Sequence, residues 1–215
     1  MKKKKLPLVC WDSIKLLTAL FLLWGVCFGA DAYSESEYRK QLFDYDWKFK
    51  LGDYPDASLN TYDDADWRIL DLPHDWSIEG TLDPENPMGN DGGYFPAGTG
   101  WYRKSFEISS KYRGKKVGIY FEGVYMNSEV FVNGKSIGIR PYGYSSFYYD
   151  LTPYLRYDDK NIIAVRVDNS QQKNCRWYTG TGIYRHVWLT VMNPIHIEHW
   201  GIAITTPEVL SLIHI

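Results

Sequence analysis

The feature that most restricts this chain is a succession of short segments with strand patterning, each closed by Gly, Pro, Asn or Asp. In order they read DWKFKLGD, DWRILDLPHDW, GWYRKSFEI, KKVGIYFEGV, SEVFVNG, KSIGIR, SSFYYDL, NIIAVRV and IYRHVWLTV. Their apolar residues alternate or run continuously, as half-buried or fully buried strands require, and no segment carries a strong amphipathic-helix pattern. The clearest turn is Asn133-Gly134, because a type I′ hairpin needs positive φ at both central residues and this pair adopts it at little cost. Val130, Val132 and Ile137 flank it with alternating faces. Strands this short, with turn signals this closely spaced, predict an all-β protein: a β-sandwich of jelly-roll or related topology.

Composition narrows what such a sandwich can do. The 215 residues are 45% hydrophobic and 23% charged with a net charge of -2, the profile of an ordinary globular protein. A near-neutral surface argues against nucleic acid, whose phosphates demand a basic face. Aromatic residues make up 17% of the chain, suiting both sandwich cores and flat, half-polar ligand surfaces such as those that hold uncharged sugars.

The first 32 residues are expected to lie outside the fold. MKKKK is a basic leader, LLTALFLLWGVCF an apolar run, and Ala30-Asp31-Ala32 a small-x-small cleavage pattern, which together describe a secretory signal peptide. A membrane-spanning helix needs about 20 apolar residues, more than this run supplies. The expected location is therefore secreted or periplasmic, with no membrane attachment after cleavage. Cys10 and Cys27 would leave with the leader, so Cys175 alone would remain and no intrachain disulfide could form. Residues 33–193 then suffice for one domain with its own core. Beyond Asn193, HIEHWGIAITTPEV reads as one strand and a turn, the start of a further domain over 194–209. The terminal LSLIHI, residues 210–215, has the look of a translated sequencing adapter.

Several chemistries lack the residues they need. His196 and His199 are three apart, which on a strand places them on opposite faces and prevents chelation of one metal. Ser145-Ser146 has no glycine-framed nucleophile elbow, and no glycine string leads from a strand into a helix to hold phosphate. His74, beside Asp75 in LPHDW, reads as a histidine bonding across the sandwich rather than a base. Asp75, Glu79, Glu122 and Asp168 fall in strand or turn contexts, where capping and loop hydrogen bonds are their ordinary roles. No metal and no cofactor is expected.

Five stretches together resemble a known family: WRILDLPHDW, GTGWYRKSFEI, FEGVYMNSEVFVNGKSIGIRPYGYSSFYYDLTPYL, NIIAVRVDNS and RWYTGTGIYRHVWL. In this order they are similar to the N-terminal sugar-binding domain of glycoside hydrolase family 2, the β-galactosidase, β-glucuronidase and β-mannosidase family. The resemblance covers residues 44 to 193 and implies a galactose-binding-like jelly roll. HIEHWGIAITTP resembles the first strand of the family's second, immunoglobulin-like domain. Arg-Trp-Tyr before Gly-x-Gly-Ile-Tyr-Arg is most similar to secreted bacterial β-galactosidases, with β-glucuronidase or β-mannosidase as the alternative. A stand-alone carbohydrate-binding module is a further alternative.

The resemblance also implies a retaining mechanism, in which two glutamates stand about 5–5.5 Å apart. In the family both lie on a TIM barrel far downstream, so no catalytic residue is assigned here. The implied partners are a β-linked galactoside or related glycan and the immunoglobulin-like and barrel domains of the same polypeptide.

In family members the residues before the Gly-Ile-Tyr/Phe-Arg strand help to close the sugar pocket, several with an aspartate that touches sugar or a cation. Counting back from Gly182 puts that position on Arg176; aligning on the tryptophan puts it on Cys175. An arginine cannot ligate a cation but can donate in a fork to hydroxyls, and Trp177 offers a flat face to a pyranose. Arg176 and Trp177 are thus candidate binding residues, with Asn174 beside them and Tyr178 read as scaffold. Gly180 and Gly182 are assigned to the backbone turn. NDGGYFPAGTGW, residues 90–101, is a second candidate surface, with Trp101 its candidate binding residue and Tyr94 and Phe95 as neighbours; in the family a comparable stretch leads into the strand beginning Trp-Tyr-Arg, so packing is the simpler reading of Trp101. Tyr142, Tyr144 and Tyr148 are assigned to sandwich faces and rims.

Overall fold

In a computed structural model of the chain, residues 40–174 and 177–206 are described. The chain divides into two units, Met1–Gln41 and Leu42–Ile215; the description concerns the second, with only Lys40 and Gln41 of the described residues belonging to the first. The expected signal peptide, the expected adapter-like tail and the candidates Cys175 and Arg176 lie outside the described residues.

The strands are β1 (Lys40–Leu42), β2 (Trp47–Leu51), β3 (Arg68–Leu70), β4 (Gly98–Glu107), β5 (Lys116–Phe121), β6 (Ser128–Val132), β7 (Lys135–Arg140), β8 (Phe147–Asp150), β9 (Lys160–Asn169) and β10 (Val187–Met192), joined by short 3-10 turns. They form a four-stranded sheet in the order β1-β10-β5-β8 and a six-stranded sheet in the order β3-β2-β4-β9-β6-β7. All seven strand pairs whose register is resolved residue by residue are antiparallel. The architecture is the expected jelly-roll-type β-sandwich.

Period-two alternation explains which side chains meet. From the six-stranded sheet Trp47, Phe49, Tyr102, Val130, Val132, Ile163, Val165 and Val167 point inward; from the four-stranded sheet Val117, Ile119, Phe121, Phe147, Val187 and Leu189 answer them. Fully burying each such aliphatic or aromatic side chain contributes about 1.5–3 kcal/mol, so this layer dominates stability. Asn133 (φ 51°) and Gly134 (φ 82°) form the expected positive-φ turn between β6 and β7. Asn133 adds more than a turn: its side chain donates to Tyr154 O at 2.8 Å and accepts from Ile162 N at 3.0 Å.

The outer face of the six-stranded sheet is not all solvent. Residues 53–67 fold over it, and Ala57 and Trp67 pack with Trp101 and Ala164 in a second buried cluster. Under this cover Arg103 donates to Asp64 Oδ2 at 2.8 Å and to the carbonyls of Ala57 and Leu59.

Two sequence readings change. IYRHVWLTV is a strand only from Val187, because Tyr125 and Gly182 form an isolated bridge that turns the preceding residues across the end of the sandwich. The segment 194–206 forms no strand, since a single strand with no ladder partner has nothing to hold it extended. It folds instead over the four-stranded sheet, where His199 stacks on Tyr148 with ring centroids 5.0 Å apart. The premise that His196 and His199 occupy opposite strand faces therefore does not apply. Among the described residues no group of three or more His, Cys, Asp or Glu could hold a metal ion, and no helix is long and apolar enough to cross a membrane.

Candidate functional site

The local chain begins with Leu72–Gly80. Leu72 N donates to Asp44 O at 2.9 Å, and His74 N donates to Ile183 O at 2.8 Å, so this segment is pinned on both sides of the sandwich end. His74 is buried against Phe49 and Tyr102, and its Nδ1 lies 2.7 Å from the Tyr102 hydroxyl. Arg68 Nη2 stands 2.9 Å from His74 Nε2. A guanidinium only donates, so Nε2 must accept and the proton sits on Nδ1. Burial holds the His74 pKa below its ordinary value despite nearby Glu79, which agrees with a neutral ring. The 3.3 Å approach of His74 Nε2 to Glu79 Oε2 is thus no ion pair at neutral pH. Glu79 pairs with Arg68 at 2.6 Å; burial pushes its pKa up, but the Arg68 bond outweighs that and holds it low. His74 bonds across the sandwich as its sequence context implied.

Asp75 follows, at the start of a 3-10 turn, Trp76–Glu79. Its Oδ1 accepts from Ser77 N at 2.9 Å, from Thr181 N at 3.0 Å and from Thr181 Oγ1 at 2.8 Å, while Oδ2 accepts from the Tyr178 hydroxyl. Burial first, and the Asp75 bond second, raise the Tyr178 pKa above its ordinary value, so the phenol stays protonated and donates. The sequence context gives Asp75 a capping or loop role, met by Ser77 N, but not the bonds to Tyr178 and Thr181, more than a hundred residues away. An Asp two residues before a Ser is a local signal; a contact across the chain leaves none.

These bonds bring the two candidate surfaces together. The Tyr178 ring packs on Phe95 with centroids 4.7 Å apart, and Lys173 Nζ lies 3.4 Å from Asp91 Oδ2. Ser77 Oγ donates to Pro96 O at 2.9 Å. Gly182 holds φ 105°, and a Cβ there would stand 2.8 Å from His74 O, so the backbone assignment of this glycine has a steric cause. A Cβ on Gly180 would approach Asp75 Oδ2 to 3.2 Å.

The candidate binding residues fare differently. Trp177 projects at this end of the sandwich with 79% exposure, a geometry open to stacking. Asn174 Nδ2 donates to Asn169 Oδ1 at 2.9 Å and to Met126 Sδ at 3.5 Å, so its amide is engaged in holding the loop. Trp101 requires correction: it is 1% exposed, stacked on Phe131 and donating to Asp53 Oδ1 at 3.2 Å. A ring covered on the outer sheet face has no surface to offer a sugar; the continuous register of β4 places it there. Tyr94 is exposed, and Phe95 is occupied by Tyr178. Tyr142 and Tyr144 sit exposed at a rim, and Tyr148 lies under His199.

The carboxylates singled out in the sequence are all committed internally. Beside Asp75 and Glu79, Glu122 accepts from Trp188 Nε1 at 2.8 Å. Asp168 accepts from Ser170 N at 3.0 Å and pairs with Arg166 at 3.1 Å.

A two-sheet sandwich with an aromatic-bearing loop end is the frame of a carbohydrate-binding domain, and comparison with known proteins agrees. Residues 43–193 match the model described as glycosyl hydrolases family 2, sugar binding domain, and the chain belongs to this family. It is 54% identical over 185 residues to the beta-galactosidase BoGH2A of Bacteroides ovatus, covering 86% of this chain and 22% of that protein. It is 36% identical over 180 residues to a beta-glucuronidase of Formosa agariphila, covering 78% of this chain and 18% of that one. A crystal structure of a beta-glycosidase from Bacteroides vulgatus superposes with a TM-score of 0.72 at 56% identity, covering 74% of this chain and 21% of that chain. The chain thus spans about a fifth of the length of the relatives it matches.

Proposed function

We propose that this chain is the N-terminal sugar-binding domain of an exported, retaining exo-β-glycosidase acting on β-galactosides. The observation that carries the substrate class is the 54% identity to a beta-galactosidase over 86% of the chain. Two carboxyl groups about 5–5.5 Å apart and open to substrate are the minimum for retaining hydrolysis. Asp75, Glu79, Glu122 and Asp168 are instead bound to partners within the sandwich, which supports a binding role for this domain and catalysis by another part of the polypeptide. Trp177, with Arg176 beside it in sequence, supplies the rim that meets the sugar. The leader-like residues 1–32 support export. A β-glucuronide substrate is the second reading, favoured by the 36% identity to a beta-glucuronidase.

The test is hydrolysis of aryl β-galactoside, β-glucuronide and β-mannoside by the polypeptide extended in frame through its catalytic domain. Preference for the galactoside is expected. Absence of galactoside hydrolysis alongside activity on either other substrate would overturn the substrate class.

A further inference from the structure

On the reading that Trp177 belongs to a sugar rim, we infer that Asp75 is the positioning residue for that rim: a latch fixing the segment from Trp177 to Thr181 without touching the ligand. Asp75 is mounted rigidly, because its neighbours His74 and Trp76 are buried and His74 is tied to Ile183 and Tyr102. From this mount its two oxygens reach Tyr178 and Thr181, immediately after Trp177. Bonds to a carboxylate are roughly twice as strong as neutral ones, so the attachment is firm for a loop. Tyr178 carries the restraint onward to Phe95, which couples the 90–96 loop to the same latch. The chain that leads toward it is held by neutral or exposed contacts, Asn174 to Asn169 and Lys173 to Asp91. Asp75 is therefore a carboxylate that grips this segment from the sandwich body by three hydrogen bonds.

Limited tryptic cleavage of the 215-residue chain tests the latch, with Lys173 and Arg176 as cleavage points leading into the segment and Lys111 and Arg113 as a reference turn elsewhere. Asp75→Ala is expected to speed cleavage at Lys173 and Arg176 by about tenfold or more while leaving the reference sites unchanged, since proteolysis tracks local opening and a lost charged hydrogen bond shifts that equilibrium by this order. Tyr178→Phe, which leaves Asp75 and Thr181 in place, should give a smaller rise. Asp75→Asn should rescue partly, because its amide oxygen still accepts from Thr181. Unchanged cleavage in Asp75→Ala, or an equal rise at the reference sites, would overturn the latch. In the extended polypeptide Asp75→Ala is expected to raise KM with kcat nearly retained, the signature of lost uniform binding. A fall in kcat at constant KM would count against positioning of the rim. If the wild-type extended polypeptide hydrolyses none of the three aryl glycosides, the sugar-rim reading fails, and the cleavage result still decides whether Asp75 holds the loop.

Discussion

Arg103 Nε donates to Asp64 Oδ2 at 2.8 Å beneath residues 53–67, joining a strand residue that is almost fully buried to the loop that buries it. Asp64 also pairs with Lys48 at 2.6 Å, and the Arg103 guanidinium further satisfies the Ala57 and Leu59 carbonyls. Arg103→Met keeps the apolar stem but strands two carbonyls and half of the carboxylate's partners. Removing one member of a buried pair costs about 3–5 kcal/mol, and urea unfolding at neutral pH should show a loss in that range. A loss under about 1 kcal/mol would mean that the loop is held by Trp67 and Ala57 packing instead.

The neutral His74 makes stability depend on pH in a definite direction. Its folded pKa lies below the ordinary histidine value, so below about pH 6.5 the unfolded chain takes up a proton that the folded chain resists. Stability should be complete above that pH and decline as pH falls toward the folded pKa. The lowered carboxylates Asp53, Asp64, Glu79 and Asp168 lose their contribution only in the more acid range near their own pKa values. Urea midpoints at pH 7 and 5.5 should differ for the wild type and converge for His74→Gln; an unchanged difference would assign the effect to another group.

Gly134 gives a clean backbone test. A Cβ there meets nothing closer than Ser58 O at 3.9 Å, so Gly134→Ala introduces no clash and probes only its φ of 82°. The left-handed conformation costs an L-residue roughly 1–2 kcal/mol, partly offset by the stiffer unfolded chain, and a net loss of about 1 kcal/mol in urea unfolding is expected.

Trp101 and Trp177 should separate stability from binding. Trp101→Ala removes a buried ring and should cost about 3–5 kcal/mol in unfolding free energy. Trp177→Ala removes an exposed ring and should leave the unfolding midpoint nearly unchanged while raising KM in the extended polypeptide. A large stability loss from Trp177→Ala would make that residue scaffold.

The 215-residue chain alone should bind galactose weakly, because a rim on one loop cannot offset the cost of immobilising a sugar. Calorimetric titration should find no affinity tighter than about millimolar. A sub-millimolar constant would show that the sandwich carries a complete pocket of its own.

What the sequence determined by itself was whatever depends on near neighbours. Alternation in KKVGIYFEGV and NIIAVRV marked strands and their inward faces because side chains alternate along any strand. Asn133-Gly134 marked its hairpin because positive φ is a property of the residues themselves. The tertiary structure decided what depends on residues far apart. Trp101 stands where GTGW runs into a strand and could serve either a sugar or the packing; the 53–67 cover and the register of β4 bury it. Asp75 looked like a cap, yet the return of the chain at Tyr178 and Thr181 makes it a bridge between two loops. Hydrogen bonds across more than a hundred residues form only after the sheets have packed, and no local spacing records them.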